Sequence, residues 1–230
     1  MTGADTDKEL AREAVRRGAY QKVPELEPLI ALVRERRPRT VVEIGTDKGG
    51  TLWAWCRLAH PEASLVSIDL PKGLFGGGYS WRDARRFRKF FTQPDQRLHA
   101  VRRDSHDPKT VRRLEKLLAG RSIDFLLIDG DHSYEGVKRD WELYEPLVTP
   151  GGLIAFHDIL RHEEQSERIV PCEVDRLWEE LAPHHRTVEF AEPNDDRGYG
   201  QWGGIGVVFK PEADLMRDPP EPHPASSASA

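Results

Sequence analysis

The segment TVVEIGTDKGGT, residues 40–51, contains the most informative pattern in the chain. Its apolar run ends at Ile44 and has the length of a buried strand, and glycines follow at Gly45, Gly49 and Gly50. A segment of helical length, residues 50–59, comes next. A buried strand, a glycine-rich loop and a helix form the opening unit of a nucleotide-binding α/β fold.

The same alternation continues along the chain. Further apolar runs that predict strands lie at residues 64–68, 98–102, 123–128, 153–156, 187–190 and 205–209. Segments that predict helices lie at residues 24–36, 81–91, 108–118, 134–147 and 172–181. Strands that alternate with helices pair mainly in parallel, with helices on both faces of the sheet. We therefore predict a Rossmann-like α/β fold with a seven-stranded, mostly parallel sheet.

The two ends of the chain differ from this pattern. The last two predicted strands are joined by a glycine- and acid-rich connection instead of a helix, which favours a hairpin and one antiparallel strand near the C-terminus. Residues 1–22 are expected to form a helical extension, and residues 23–210 the catalytic domain. The tail, residues 211–230, is rich in Pro, Ala and Ser and is expected to be disordered.

Composition limits the classes of partner. The 230 residues carry a formal net charge of -5, and basic clusters such as residues 82–88 and 112–116 are interpreted as solvated helix faces. A nucleic-acid partner is therefore not expected. The sequence has no apolar run of the ~20 residues that a membrane span requires. Two cysteines without CxxC spacing fit a reducing compartment, so a cytoplasmic location is predicted. A homo-oligomer is compatible with the sequence.

Polar residues that follow the first three strands predict a nucleoside site. In such sheets, ligands bind beyond the carboxyl ends of the strands. The residues assigned to the cofactor are Glu43, Gly45, Thr46 and Gly49 from the first loop, Asp69 for the ribose diol, and Asp104 and Ser105 for the adenine. The loop places Asp47 where a dinucleotide would need room for phosphate. A cofactor with a sulfonium and an ammonium group, S-adenosyl-L-methionine, is favoured over NAD.

The fourth and fifth strands lead into a second set of polar residues. Asp129 and His132 follow the fourth strand, and His157 and Asp158 follow the fifth. If these strands are neighbours, the four side chains converge, since adjacent strands lie about 4.8 Å apart. Carboxylates with an imidazole can hold a divalent cation, and His132 is suited to accept a proton. Asp131 is interpreted as the N-cap of the following helix.

Several blocks of sequence resemble the class I methyltransferases of bacteria. These blocks are VEIG (residues 42–45), IDGDHSY (128–134) and PGGLIAFHD (150–158). The likeness extends over about residues 21–210 and is greatest for cephalosporin hydroxylase-like proteins and for sugar O-methyltransferases of antibiotic biosynthesis.

The resemblance implies roles for individual residues. It makes Asp129, His157 and Asp158 ligands of a Mg²⁺ ion, with His157 replacing the acid usual in the family, and His132 the general base. It assigns Glu43, Gly45 and Asp69 to the cofactor, and Asp104 more loosely; Asp129 is predicted to serve both the cofactor and the metal.

The leading hypothesis is metal-assisted methyl transfer to a hydroxyl group of a small-molecule acceptor, such as a sugar or a natural-product scaffold. One alternative is an iron hydroxylase that uses His132, His157 and a carboxylate. Another is a non-catalytic accessory protein on the same fold. Tyr79, Trp81 and Trp202 are further candidates for the walls of an acceptor pocket, with core packing or a turn as the competing interpretation.

Overall fold

A computed structural model of the chain describes residues 3–72, 77–162, 171–192 and 201–212. The helices in these ranges are α1 (Gly3–Arg16), α2 (Val23–Arg36), α3 (Gly50–Leu58), α4 (Trp81–Phe90), α5 (Pro108–Leu118), α6 (Tyr134–Tyr144) and α7 (Val174–Leu181). The strands are β1 (Thr40–Ile44), β2 (Ser64–Asp69), β3 (Arg97–Arg102), β4 (Ile123–Ile128), β5 (Val148–His157), β6 (Arg186–Phe190) and β7 (Ile205–Phe209).

The seven strands form one sheet in the order β3-β2-β1-β4-β5-β7-β6. The pairs among β1 to β5 are parallel, and β7 runs antiparallel to both of its neighbours, β5 and β6. The predicted mixed sheet with one antiparallel strand, and the hairpin at its edge, are therefore confirmed. The strand order reverses between β1 and β4, and this reversal is where sheets of this type bind ligands.

Hydrophobic clusters on both faces of the sheet hold the layers together. One cluster joins the strands to α1, α2 and α3, with Trp55 fully buried at its centre and in edge contact with Phe125. The other joins the strands to α5, α6 and α7 around Phe156 and Trp178. Burial of such side chains removes about 1.5–3 kcal/mol of unfavourable hydration each. The predicted helices on both faces are confirmed.

Helix ends depart from the prediction by a few residues, for local reasons. The α6 helix ends at Tyr144, because Pro146 follows within a short 3-10 turn, Glu145–Leu147. The prediction that Asp131 is the N-cap of α6 is wrong. The N-cap is Ser133, whose hydroxyl accepts a hydrogen bond from the backbone N–H of Gly136. Asp131 instead accepts hydrogen bonds from the N–H and hydroxyl of Ser133, so it supports the cap from outside the helix.

The N-terminal segment packs on the sheet domain. The α1 helix contacts α2 and α3, and a side chain at Gly50 would overlap the backbone of Ala14 and Ala19. The bounds predicted for the three segments of the chain stay a prediction, and residues 213–230 of the tail lie outside the described residues. Within the described part of the chain, none of the helices combines the length and apolar character that crossing a bilayer requires.

Candidate active site

The glycine loop after β1 lies against the loop after β4. Gly45 has φ +82°, and a Cβ there would overlap the carbonyl oxygen of Asp129. Position 45 requires glycine for two reasons. Any other residue would be strained at this positive φ, and its Cβ would have no room because the two loop backbones are in contact. In nucleotide-binding α/β folds, glycines in this loop also let a ligand approach the backbone. At Gly45, and at Gly49 where a Cβ would meet Phe87 and Phe91, contacts within the protein already demand glycine.

Asp69 holds this loop in place. Its Oδ2 accepts hydrogen bonds from the backbone N–H groups of Thr46 (2.9 Å) and Asp47 (2.7 Å). The Thr46 hydroxyl also pairs with that of Ser67 at 2.7 Å. Burial raises the pKa of Asp69, although the two N–H donors act against the shift. The structure thus brings together three predicted cofactor positions, Asp69, Gly45 and Thr46, at the carboxyl ends of β1 and β2.

Glu43 is fully buried beneath the loop. Its Oε2 accepts a hydrogen bond of 2.6 Å from the indole Nε1–H of Trp55, and its Oε1 makes no hydrogen bond within the described structure. Burial raises the pKa of Glu43 to about 8, with a smaller contribution from the charge of Asp129. A carboxyl group in this position responds strongly to any cation placed near Oε1.

Asp104 and Ser105 follow β3, at the same edge of the sheet as Asp69. Asp104 is half-exposed and accepts a hydrogen bond from the backbone N–H of His106 (2.8 Å), and the Ser105 carbonyl accepts one from the Tyr144 hydroxyl (2.8 Å). The His106 ring lies 3.3 Å from the buried carboxylate of Asp140. These two predicted residues therefore lie on the rim of the loop cluster, and local contacts fix their backbone.

Two imidazoles and two carboxylates converge beyond β4 and β5. The His132 Nε2 lies 3.3 Å from Asp129 Oδ1, and the His157 Nδ1 lies 3.1 Å from the same oxygen. Asp158 Oδ2 lies 3.5 Å from His157 Nδ1 and 3.7 Å from His132 Nδ1. The predicted convergence of Asp129, His132, His157 and Asp158 is present, because β4 and β5 are neighbours in register.

In this cluster, the neighbouring charges shift the pKa values more than burial does. Burial by itself lowers the pKa of His132 and His157, but the carboxylates of Asp129 and Asp158 outweigh it, so both pKa values are raised, that of His157 strongly. Burial likewise works to raise the pKa of Asp158, and the neighbouring imidazoles reverse this and hold it well below its usual range. The buried carboxylate of Asp158 and the partly buried one of Asp129 need positive charge nearby, which either protonated imidazoles or a cation supplies.

The donor atoms satisfy the spacing of a metal site. One ligand atom each from Asp129, His157 and Asp158 lies within 4.8 Å of the others, and the same holds for His132, Asp158 and Cys172. Two carboxylates and one imidazole fit a divalent cation with positions left for water and substrate. The imidazole is less typical of Mg²⁺, which prefers oxygen ligands. Divalent cations as a class therefore fit these residues, and transition metals fit them best.

Three residues that the sequence did not single out also contact the cluster. The buried Gln21 donates a hydrogen bond from Nε2 to Asp129 Oδ2 at 2.7 Å. His162 lies 3.1 Å from Asp158 Oδ1, four residues further along the chain. The spacing of His162 from Asp158 was a usable signal, whereas Gln21 and Cys172 reach the site only through the tertiary fold.

The weaker candidates are placed less close to this chemistry. The Tyr79 ring is buried and its hydroxyl bonds to Ser67, so it is part of the core. Trp202 is buried between Tyr20 and the ammonium of Lys22, which also donates to the Trp202 carbonyl. Trp81 is 67% exposed. Residues 73–76, before Tyr79, and residues 193–200, before Trp202, lie outside the described residues.

Fold and site together define a Rossmann-like α/β protein whose nucleoside-type glycine loop adjoins a cluster of imidazoles and carboxylates. The family described as "Methyltransferase domain" matches residues 42–159, and the chain belongs to this family. The matched range runs from within β1 to the end of β5 and includes all of the residues predicted to bind the cofactor or the metal or to act as the base. The resemblance to class I methyltransferases is thereby confirmed, and the hydroxylase and accessory-protein alternatives are not favoured.

Relatives in sequence are themselves without an assigned function. The chain is 33% identical over 124 residues to the uncharacterized protein R132 of Acanthamoeba polyphaga mimivirus, and 27% identical over 181 residues to the uncharacterized protein y4gI of Sinorhizobium fredii. The two alignments include 54% and 77% of this chain. They span 53% and 18% of those relatives, so the chain matches only part of each.

Solved structures show the same fold at low identity. The O-methyltransferase TomG of Streptomyces achromogenes, in complex with S-adenosylmethionine, superposes with a TM-score of 0.61 at 17% identity, over 91% of both chains. An O-methyltransferase of Bacillus cereus in complex with S-adenosylhomocysteine superposes with a TM-score of 0.58 at 19% identity, over 90% of this chain and 91% of that one. MycE, from the mycinamycin biosynthetic pathway and bound to Mg and S-adenosylhomocysteine, superposes with a TM-score of 0.57 at 16% identity. This superposition covers 93% of this chain and 57% of MycE.

Proposed function

We propose that this chain is an S-adenosylmethionine-dependent O-methyltransferase that acts on a hydroxyl group of a small molecule. The observation that carries the proposal is the placement of the Asp129–His132–His157–Asp158 cluster directly beside the glycine loop of a methyltransferase fold. The O-methyltransferase neighbours, several crystallised with S-adenosylmethionine or S-adenosylhomocysteine, support this reaction class. Residues 23–210 are the proposed extent of the catalytic domain.

The cofactor is proposed to lie over the carboxyl ends of β1, β2 and β3. Asp69 retains a second carboxylate oxygen for a ribose hydroxyl, since Oδ2 already holds the loop. The unpaired Oε1 of Glu43 is an acceptor for the cofactor's ammonium group. Asp104 and Ser105 lie at the rim where an adenine would end. When bound, S-adenosylmethionine supplies a methyl group on a positively charged sulfur, and this sulfur is the leaving group when the methyl group passes to an acceptor oxygen.

A divalent cation is proposed to bind between Asp129, His157 and Asp158. The carboxylates of Asp129 and Asp158 both have lowered pKa values, so they are ionised at neutral pH and attract a cation. When bound, the ion lowers the pKa of a hydroxyl group at an open position. The Mg-bound neighbour MycE supports Mg²⁺ as the ion, whereas the imidazole of His157 supports a transition metal.

His132 is proposed to accept the proton that the acceptor hydroxyl loses. Its side chain is largely buried next to Asp129 and Asp158, and these carboxylates stabilise the imidazolium that proton transfer would create. The raised pKa makes His132 a stronger base once it is deprotonated, although a smaller fraction is deprotonated at neutral pH. With the cofactor bound, a bond would form between the acceptor oxygen and the methyl carbon as the methyl–sulfur bond breaks, and the His132 imidazole would take the proton.

The test separates cofactor binding from turnover. We expect His132→Ala to bind S-adenosylhomocysteine like the wild type in calorimetry and to lose at least a hundredfold in rate. The rate is followed as S-adenosylhomocysteine release over a panel of sugars, catechols and macrolide alcohols. Loss of cofactor binding in this variant would mean that His132 belongs to the binding site. A wild type that does not bind S-adenosylhomocysteine would overturn the proposed function itself.

A further inference from the structure

A concave groove lies along the edge strand β3, between α4 and α5. Its volume is about 790 Å³, and twelve residues of α4, α5 and the strand with the residue that follows it line the groove. Seven of these twelve residues are arginine or lysine, and none is aspartate or glutamate. Such a concentration is unexpected on a chain with a formal net charge of -5.

The tertiary structure assembles these cations from three elements. The four positions on α5 recur with the helical spacing i, i+3, i+4 and i+7, so Lys109, Arg112, Arg113 and Lys116 share one face. At 1.5 Å per residue this face extends for about 10 Å. Arg102 and Arg103 come from the end of β3, and Arg88 from α4. The interpretation of separate solvated helix faces therefore missed their common orientation.

The cations of the groove have no acidic partner among the residues that the structure describes. Arg86, on the opposite side of α4, pairs with Asp83, and Arg139 on α6 pairs with Glu142. Across the described ranges, by contrast, no carboxylate lies within 4 Å of the charged nitrogens of the seven groove residues. Like charges held this close repel one another, and a bound anion would relieve the repulsion.

The half-buried His99, which lines the groove, is subject to the same positive charges. Burial lowers its pKa, and the positive charges of Arg113 and Arg88 lower it further, with smaller contributions from Arg97 and Arg121. The groove therefore has a positive potential in the free protein.

The groove also offers a flat aromatic surface. Trp81 is 67% exposed, and the guanidinium of Arg102 lies 4.7 Å from its ring centroid on one side. Arg102 is itself held by a hydrogen bond from Nε to the Tyr79 carbonyl (2.7 Å). An indole backed by a fixed guanidinium is a stacking platform for a planar base.

We propose that this groove binds a small, nucleotide-like ligand that carries several phosphate groups. Guanidinium groups match phosphate oxygens in charge and in geometry, and the enclosed volume is in the range of small-molecule sites. A single cationic face of about 10 Å on an acidic protein suits a short polyphosphate better than a long polymer. The groove adjoins Asp104 and Ser105 but shares no residue with the metal cluster, so the proposal does not depend on the proposed function.

The experiment uses three anionic probes at 150 mM salt, measured by calorimetry. These probes are inorganic triphosphate, ATP in the presence of saturating S-adenosylhomocysteine, and oligothymidylates of 4 and 20 nucleotides. We expect triphosphate to bind one to one, and ATP to bind more tightly because its base stacks on Trp81. Arg113→Glu should weaken both by about tenfold or more. Arg139→Glu, the same charge change on an exposed residue of α6, should leave both unchanged.

Each outcome has a defined meaning. Trp81→Ala should abolish the advantage of ATP over triphosphate while triphosphate binding persists; a retained advantage would refute the nucleotide part of the proposal. Equal effects of Arg113→Glu and Arg139→Glu would show a non-specific charge effect and overturn the site. So would the absence of triphosphate binding. Affinity that appears only with oligothymidylates and increases with their length would indicate a nucleic-acid surface instead.

Discussion

Replacement of Glu43 by Gln tests the electrostatics beneath the glycine loop. The carboxyl group is fully buried, and its pKa is raised from 4.5 to about 8. Below pH 4.5 it is protonated in both the folded and the unfolded chain. As the pH rises, the unfolded chain loses this proton first, so stability is lost progressively between pH 4.5 and about 8. At about 1.4 kcal/mol per pH unit, the loss between pH 5 and pH 9 is about 4 kcal/mol.

Glutamine has nearly the same shape and does not ionise, so Glu43→Gln should be free of this loss. We expect the free energy of unfolding of the variant, relative to wild type, to increase by about 4 kcal/mol between pH 5 and pH 9. Urea denaturation at both pH values, without cofactor, measures it. Glu115→Gln, at an exposed position on α5, is the matched control and should show no such increase. A constant difference between Glu43→Gln and wild type would refute the reasoning.

Four further predictions concern the loop and the cluster. Gly45→Ala should destabilise the fold by at least about 3 kcal/mol, because of positive φ and overlap with Asp129, and thermal or urea unfolding will show whether it does. Trp55→Phe removes the donor to Glu43 and should cost about 2 kcal/mol in urea unfolding, against a smaller change for Trp53→Phe. His157→Asp should raise the affinity for Mg²⁺ relative to Co²⁺ in calorimetry, and an unchanged ratio would exclude His157 as a ligand. Since protons on His157 and His132 compete with a cation and both pKa values are raised, metal affinity should increase as the pH rises from 6 to 9; a flat profile would contradict this.

Much of the fold was predictable because its signals are local. A buried strand is a short apolar run, and a loop that needs positive φ requires glycine, so β1, Gly45 and the start of α3 are all evident between residues 40 and 51. The hairpin of β6 and β7 was predictable for the same reason, since the connection between them, residues 191–204, is rich in glycine and acids and has no helical pattern for a crossover.

The candidate site was predictable only in part. Asp129, His132, His157 and Asp158 follow strands that a parallel sheet places side by side, so the strand pattern itself implied their convergence. Gln21 and Cys172 carried no such signal, since each belongs to a segment whose position depends on packing against the rest of the protein. The N-cap of α6 was assigned wrongly, because Asp131 and Ser133 are both suitable capping residues and only the backbone geometry selects between them.

Local sequence patterns encode the order of strands and helices, the glycine loop and the residue types at the strand ends, because these depend on hydrophobic period and backbone freedom over a few residues. The folded structure alone fixes which distant side chains meet. It brought Gln21 to Asp129, enclosed Glu43 with Trp55, and turned cations from α4, β3 and α5 into one groove. Such contacts join residues far apart in the chain, and their energies depend on burial and separation, which no local pattern encodes.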